Sequence, residues 1–196
     1  MKEIILCGVG ALGSWLLCLA RGLDASWILV DHDRVEKRNL LGQAFVPAVV
    51  GRYKVEAARL VAIRDWGYPQ ALLGTLPVRI VRENALTVLR KADAIVDCLD
   101  NVSSRVVVQD AADEQRIPVL HAGIDAGGMH GRIRWGRAFP LEPGDPGQAA
   151  ETCLSADNLP HHAIVAGALA RVLGAFLTEG RTFGADVDGL GMRLVR

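Results

Sequence analysis

Apolar residues along this chain come in two rhythms. Short, dense runs read as buried strands: Glu3-Ile-Ile-Leu-Cys7, Ser26-Trp-Ile-Leu-Val30, Leu76-Pro-Val-Arg-Ile-Val81, Asp93-Ala-Ile-Val-Asp97 and Pro118-Val-Leu-His121. Each is bounded by polar or turn-forming residues, as strands of a covered sheet are. Between them lie longer segments with helical spacing, Ala11–Arg21, Lys54–Trp66, Asn84–Arg90, Ser103–Arg116 and the Ala-rich His161–Thr178. Gly22 is expected to close the first helix and Pro77 to weaken the start of the third strand. Met129–Trp135 reads as a further strand entered through Gly127-Gly128. Thr182–Val187 and Gly191–Val195 read as a hairpin around Asp188-Gly189. Regular alternation of strand and helix implies an α/β, Rossmann-like fold. Its sheet would be mostly parallel with helices on both faces, followed by C-terminal antiparallel strands, and any site would lie at the carboxyl ends of the parallel strands. No internal repeat, low-complexity tract or linker interrupts the pattern, so residues 1–196 are read as one domain.

Two stretches break the rhythm. Residues 139–160 hold four of the eight prolines and read as a loop. Residues 32–52 are polar, carry Gly42, Pro47 and Gly51, and read as a long loop with one helical turn. Loops of that length inside a compact domain tend to carry function.

Composition narrows the classes. Lys+Arg and Asp+Glu are balanced at 22 each, so no bulk basic field favours nucleic acid. Although 51% of residues are apolar, no uninterrupted apolar run is long enough to cross a bilayer, and no membrane partner is expected. Four scattered cysteines form no C-x-x-C pair, so neither a disulfide framework nor a zinc site is expected. With no signal-peptide pattern after Met1, the expected location is the cytoplasm.

The chemistry begins at Gly8-Val-Gly-Ala-Leu-Gly13, a glycine turn between a strand and a helix. Its backbone N–H groups suit a phosphate, and alone it fits NAD, FAD or ATP equally. Asp31 ends the second strand, where a carboxylate can accept both hydroxyls of a ribose. An NAD-dependent oxidoreductase would explain Gly8 to Asp31 but would give no role to Asp33, Asn39, Gln43 and Lys54.

Those further residues carry a resemblance. The ordered series Gly8 to Gly13, Asp31-His-Asp33-Arg-Val35, Asn39-Leu40, Gln43, Gly51-Arg-Tyr-Lys54 and Asp97-Cys-Leu-Asp100-Asn101 resembles the ThiF/MoeB family, relatives of the ubiquitin-activating enzymes. The resemblance implies an adenylyltransferase that uses ATP and magnesium to activate the C-terminal Gly-Gly carboxylate of a ubiquitin-like or sulfur-carrier protein, releasing pyrophosphate. It further implies that Gly8, Gly10 and Gly13 cradle phosphate, and that Asp31 holds the ribose, with Asp33 and Gln43 in the same wall. Asn39 and Lys54 would contact the triphosphate and Asp100 would bind magnesium, with Asn101 shaping its turn. Arg105 would either orient that acid or hold a phosphate, with a surface salt bridge as the plain alternative. Asp97 and Asp100 could also simply cap the following helix. A homodimer is implied, with the 32–52 loop and the helix after His161 as candidate contact surfaces. Gly123–Gly131 would lie near the carrier's extended tail.

The sequence also departs from the family. An arginine usual just before Gln43 is Gly42 here, and with a strand-like run beginning within a few residues of Met1 the N-terminal helix that brings a second arginine in that family is not expected. Arg34, Arg38 and Arg52 are the nearby substitutes. These departures keep open a non-catalytic carrier- or partner-binding subunit. Cys153 is the one candidate thioester nucleophile, with His161-His162 following it, and an ordinary loop thiol is the alternative. His121 and His130 are expected as polar residues at strand ends.

Overall fold

The structure is a computed structural model that describes residues 1–125, 127–137, 156–189 and 191–195. Strands β1 (Lys2–Cys7), β2 (Ala25–Val30), β3 (Leu73–Leu76), β4 (Ala94–Asp97) and β5 (Val119–Ile124) pair in parallel. Strands β6 (Gly131–Trp135), β7 (Gly184–Asp188) and β8 (Gly191–Val195) continue the same sheet antiparallel. The spatial order is β3-β2-β1-β4-β5-β6-β7-β8. The chain runs outward to β3, then crosses back past β1 to β4, so the order reverses between β1 and β4. That reversal opens a crevice at the strands' carboxyl ends, the usual place for a ligand in such sheets.

The period-2 alternation of the strands explains the two cores. One face of β1, β2, β4 and β5 presents Ile4, Leu6, Trp27, Leu29, Val96 and Leu120 to helices α1 (Ala11–Leu19), α2 (Lys54–Asp65) and α5 (Leu159–Glu179). The other presents Ile5, Cys7, Val30, Ile95 and Val119 to α3 (Ala85–Val88) and α4 (Val102–Gln115). Helix α5 is long and apolar enough, by length and composition, to cross a membrane, although no single apolar run in the sequence had that length. Here it buries Val165, Ala166, Leu169, Val172 and Leu173 against α1 and the sheet.

Several expectations shift. The third strand is Leu73–Leu76 rather than 76–81, because the residues before Pro77 have free N–H groups to give to the β2 ladder. Helix α1 ends at Leu19, and Gly22 does not close it. The 32–52 loop holds two short 3-10 turns, Lys37–Leu41 and Pro47–Val49. The C-terminal hairpin forms as expected, over slightly shorter strands.

Missing side chains set three close approaches. A Cβ on Gly13 would stand 2.0 Å from the Gly8 carbonyl oxygen, so the glycine turn closes only with hydrogen there. On Gly131 it would meet the Val165 side chain of α5 at 2.4 Å, and on Gly184 the Ile133 carbonyl at 2.6 Å. Gly13→Ala is therefore expected to destabilise the fold by about 2 kcal/mol or more, measured by urea unfolding.

Candidate functional site

The carboxyl ends of β1, β2 and β4 meet at the crevice. Gly8 has φ +86°, a left-handed conformation that glycine adopts without strain, and its missing Cβ would lie 2.9 Å from the Cys98 carbonyl oxygen. This contact brings the glycine turn against the Asp97–Asn101 turn. Gly10 then begins α1, and no side chain caps that helix end. Among the described residues, a Cβ on Gly10 would meet nothing within 4 Å. Open space over N–H groups at a helix start is what a phosphate needs, so the glycine turn offers room for one.

Asp31 closes one side. Its Oδ2 accepts from Val9 N at 2.8 Å and its Oδ1 from Asp33 N at 2.9 Å. Each oxygen retains a lone pair for a hydroxyl. Burial raises the Asp31 pKa. The nearby Lys54 charge and the two backbone donors pull it part of the way back, and Asp33 adds to the rise. Asp33 is half-exposed and goes the other way. Burial works upward on it, but the Lys54 hydrogen bond and charge, aided by His32 and Arg79, hold it below the usual carboxylate range.

Lys54 opens α2 with its side chain only 10% exposed and its Nζ 2.8 Å from Asp33 Oδ2. It is thus an inward-facing ammonium rather than a solvated helix residue, and Asp33 compensates its buried charge. Lys54 N donates to the Asp33 carbonyl, and an isolated bridge joins Arg34 to Tyr53. These bonds pinch the 32–52 loop shut at its base. Asn39 is buried, and its Oδ1 accepts from Glu36 N at 2.7 Å, which fixes the first 3-10 turn. Gln43 is also buried, and among the described residues its Oε1 has no hydrogen-bond partner. Helix α1 holds the loop from beneath, with Ser14 Oγ accepting from Ala44 N and Trp15 Nε1 donating to the Gly42 carbonyl.

Gly42 is buried under Trp15, and the His162 ring faces its carbonyl. Arg34 Nη1 donates to the Gly51 carbonyl while the guanidinium stacks on Tyr53 at 4.0 Å, and Arg38 pairs with Glu36 at 2.7 Å. Arg34 and Arg38 are thus both engaged with the loop itself, and Arg52 is exposed.

On the other side of the crevice, Asp100 is exposed, and among the described residues its hydrogen-bond contact is a long one, 3.4 Å from Asn101 Nδ2. An open carboxylate suits a hard cation such as magnesium. Neither Asp97 nor Asp100 caps α4. Asn101 does, its Oδ1 accepting from Ser104 N at 2.8 Å. Asp97 is fully buried and supports the turn from behind, with Oδ1 accepting from Leu99 N and Oδ2 facing His121 Nδ1 at 2.7 Å and Arg105 Nε at 3.3 Å. Arg105 is 1% exposed, and its Nη1 donates to the Leu99 and Ala122 carbonyls at 3.0 Å. It is neither a surface salt bridge nor a group on the open side; it braces the acid turn.

His121 corrects another expectation. It sits inside β5 with no exposure, bridging Asp97 and Gln109, because a polar ring is tolerated in a buried strand when both nitrogens find partners. An isolated histidine within an apolar strand was the available signal. His130 does lie at a strand end, 3.1 Å from Asp125. Cys153 lies outside the described residues. Cys7, Cys18 and Cys98 are free thiols, Cys7 buried and the others half-buried. Asp31, His32 and Asp33 also bring ligand atoms within 4.8 Å of one another, though Asp33 is already engaged by Lys54.

His161 and His162 open α5 on its buried side. Burial lowers both pKa values below the ordinary 6.5. His130 pushes that of His161 further down and His161 that of His162, while Asp125 and Asp188 oppose the shift at His161 and the Gly42 carbonyl opposes it at His162. The unfolded chain takes up these protons as pH drops below about 6.5, before the folded chain does. Unfolding free energy should therefore fall between pH 7.5 and pH 5.5 in urea titrations. His162→Phe should keep more of its stability at the lower pH.

The ThiF family model matches residues 1–176. The chain is similar to the adenylyltransferase and sulfurtransferase UBA4 of Candida glabrata, 34% identical over 112 residues that cover 56% of this chain and 25% of that protein. It is similar also to the sulfur carrier protein adenylyltransferase of Thermus thermophilus, 37% identical over 115 residues, 56% of this chain and 41% of that protein. Among solved structures, PaaA superposes with a TM-score of 0.73 at 17% identity, covering 99% of this chain and 62% of that one, a likeness of fold. The chain thus spans well under two thirds of the curated relatives it matches.

Proposed function

The chain belongs to the ThiF family, and on that premise we propose that it adenylates the C-terminal carboxylate of a sulfur-carrier or ubiquitin-like protein with ATP. The observation that carries the reading is the convergence of an open glycine turn, an inward-facing lysine and an exposed carboxylate on one crevice. A carboxylate oxygen of the carrier attacks the α-phosphorus. The bond from that phosphorus to the bridging oxygen breaks, and pyrophosphate leaves. Two anions must approach, so the protein's task is chiefly to position them and neutralise charge. The glycine turn and the α1 N-terminus hold phosphate oxygens. Asp31 accepts from the ribose hydroxyls. Lys54 gives its charge to the triphosphate, exchanging part of its contact with Asp33 for it, and Asn39 fixes the loop that carries the binding wall. Asp100 is the magnesium ligand, and bound magnesium would supply further charge neutralisation at the phosphates. The working unit in this proposal is a cytoplasmic homodimer, whose contact surfaces would include the exposed Leu41 of the loop and Ile164 of α5.

Gly42 supports a second reading, a subunit that binds carrier or partner without catalysis, since no guanidinium stands at that position. Magnesium-dependent exchange of labelled pyrophosphate into ATP, requiring a carrier that ends in Gly-Gly, separates the two. Exchange is expected for the wild type, and tight carrier binding with no exchange under any pairing would support the second reading instead. Asp100→Ala should abolish exchange, and a fully active Asp100→Ala would remove the metal role assigned to it. Gly10→Ala adds its methyl group to open space, so it should keep the fold yet weaken binding of a non-hydrolysable ATP analogue roughly tenfold or more by calorimetry.

A further inference from the structure

The buried support of the acid turn reaches further than the site itself. Asp97 receives His121 Nδ1 at 2.7 Å, and His121 Nε2 lies 2.7 Å from Gln109 Oε1. Gln109 Nε2 in turn donates to Asp113 Oδ1 at 2.7 Å. Asp113 thereby holds the Gln109 amide with its carbonyl oxygen toward the ring. The result is a chain of short bonds from the exposed surface of α4, through the buried interior of β5, to a fully buried carboxylate. At its inner end Asp97 spends its other oxygen on Leu99 N, while Arg105 grips the Leu99 carbonyl and stands beside Asp97. Leu99 immediately precedes Asp100. Both polar groups of that one residue are thus held by groups the chain controls.

We propose that His121, set by Gln109 and Asp113, is a positioning residue for Asp100: it orients the Asp97 carboxylate so that the Leu99–Asn101 turn presents Asp100 to the metal–nucleotide. The inference rests on the proposed function for its purpose but not for its geometry. A carboxylate with no solvent contact adopts the orientation its partners impose, because no water can compete for its lone pairs. Rotating Asp97 would take Oδ1 away from Leu99 N and release the turn. The group that prevents the rotation on the β5 side is the His121 ring, and the ring is in turn held at its far nitrogen by Gln109.

Two variants test this. Gln109→Leu cuts the chain at a half-buried residue of α4, where leucine is compatible with the helix and the fold is expected to survive. His121→Asn removes the ring itself. The first readout needs no nucleotide: hydrogen exchange of the Leu99 amide should accelerate about tenfold in Gln109→Leu, with the Ile95 and Val96 amides of β4 unchanged. Unchanged Leu99 protection, or an equal loss throughout β4, would overturn the inference. The second readout is manganese affinity in the presence of a non-hydrolysable ATP analogue. It should weaken several-fold in both variants while metal-free analogue affinity stays at the wild-type value. Unchanged manganese affinity would overturn the link to Asp100. If Leu99 responds as expected but the wild type takes up no metal with the analogue, the bracing of the turn by His121 stands, while its purpose toward a metal and the proposed adenylation both fail.

Discussion

A carboxylate buried without solvent contact determines the shape of one whole side of the crevice. Asp97 ends β4, and its charge must be met inside the protein because an uncompensated carboxylate there would cost several kcal/mol. Arg105 from α4 and His121 from β5 meet it. In doing so they tie the helix after the acid turn and the strand after that helix to a single point. The turn between them has little freedom left, and Gly8 can then approach the Cys98 carbonyl closely enough for β1 and β4 to share one site. The ion pair is costly to desolvate and contributes little net stability; its effect is on orientation.

The opposite wall is built by a different device. The 32–52 loop is closed at its base by backbone bonds between residues 33–35 and 51–54, and it rests on α1 through Ser14 and Trp15. Within it, Asp33 and Lys54 form a pair across the closure. The ammonium faces inward, with its side chain nearly buried, against one half-exposed carboxylate. The loop thus places a cationic group at the crevice while its base is closed by its own backbone bonds.

Most of the architecture was legible in the sequence because strand and helix periods are strong and their alternation permits few topologies. The residues that line the crevice were legible through their order. What escaped were distances across the fold. Nothing local to His121 says that Asp97 lies against it, since the two are brought together by the parallel pairing of β4 and β5. Arg105 could not be told from a surface residue for the same reason: its burial depends on where α4 packs. The third strand lies a few residues before the expected one because Leu76, Val78, Ile80 and Val81 are as apolar as Leu73, and only pairing with β2 decides which segment joins the ladder. The role of Cys153 falls in a segment outside the described residues.

Gly131 and Gly184 have a consequence for how the molecule can adapt. Each lets a neighbour sit directly on the backbone of the antiparallel strands, Val165 of α5 in one case and the Ile133 carbonyl in the other. Helix α5 also packs on α1, whose start is the glycine turn. The antiparallel strands β6 and β7 and the helix that begins at the glycine turn therefore pack against the same helix. A displacement of α5 would thus press at once on the backbone of β6, where Gly131 leaves no side chain to give way, and on the helix whose start forms the glycine turn.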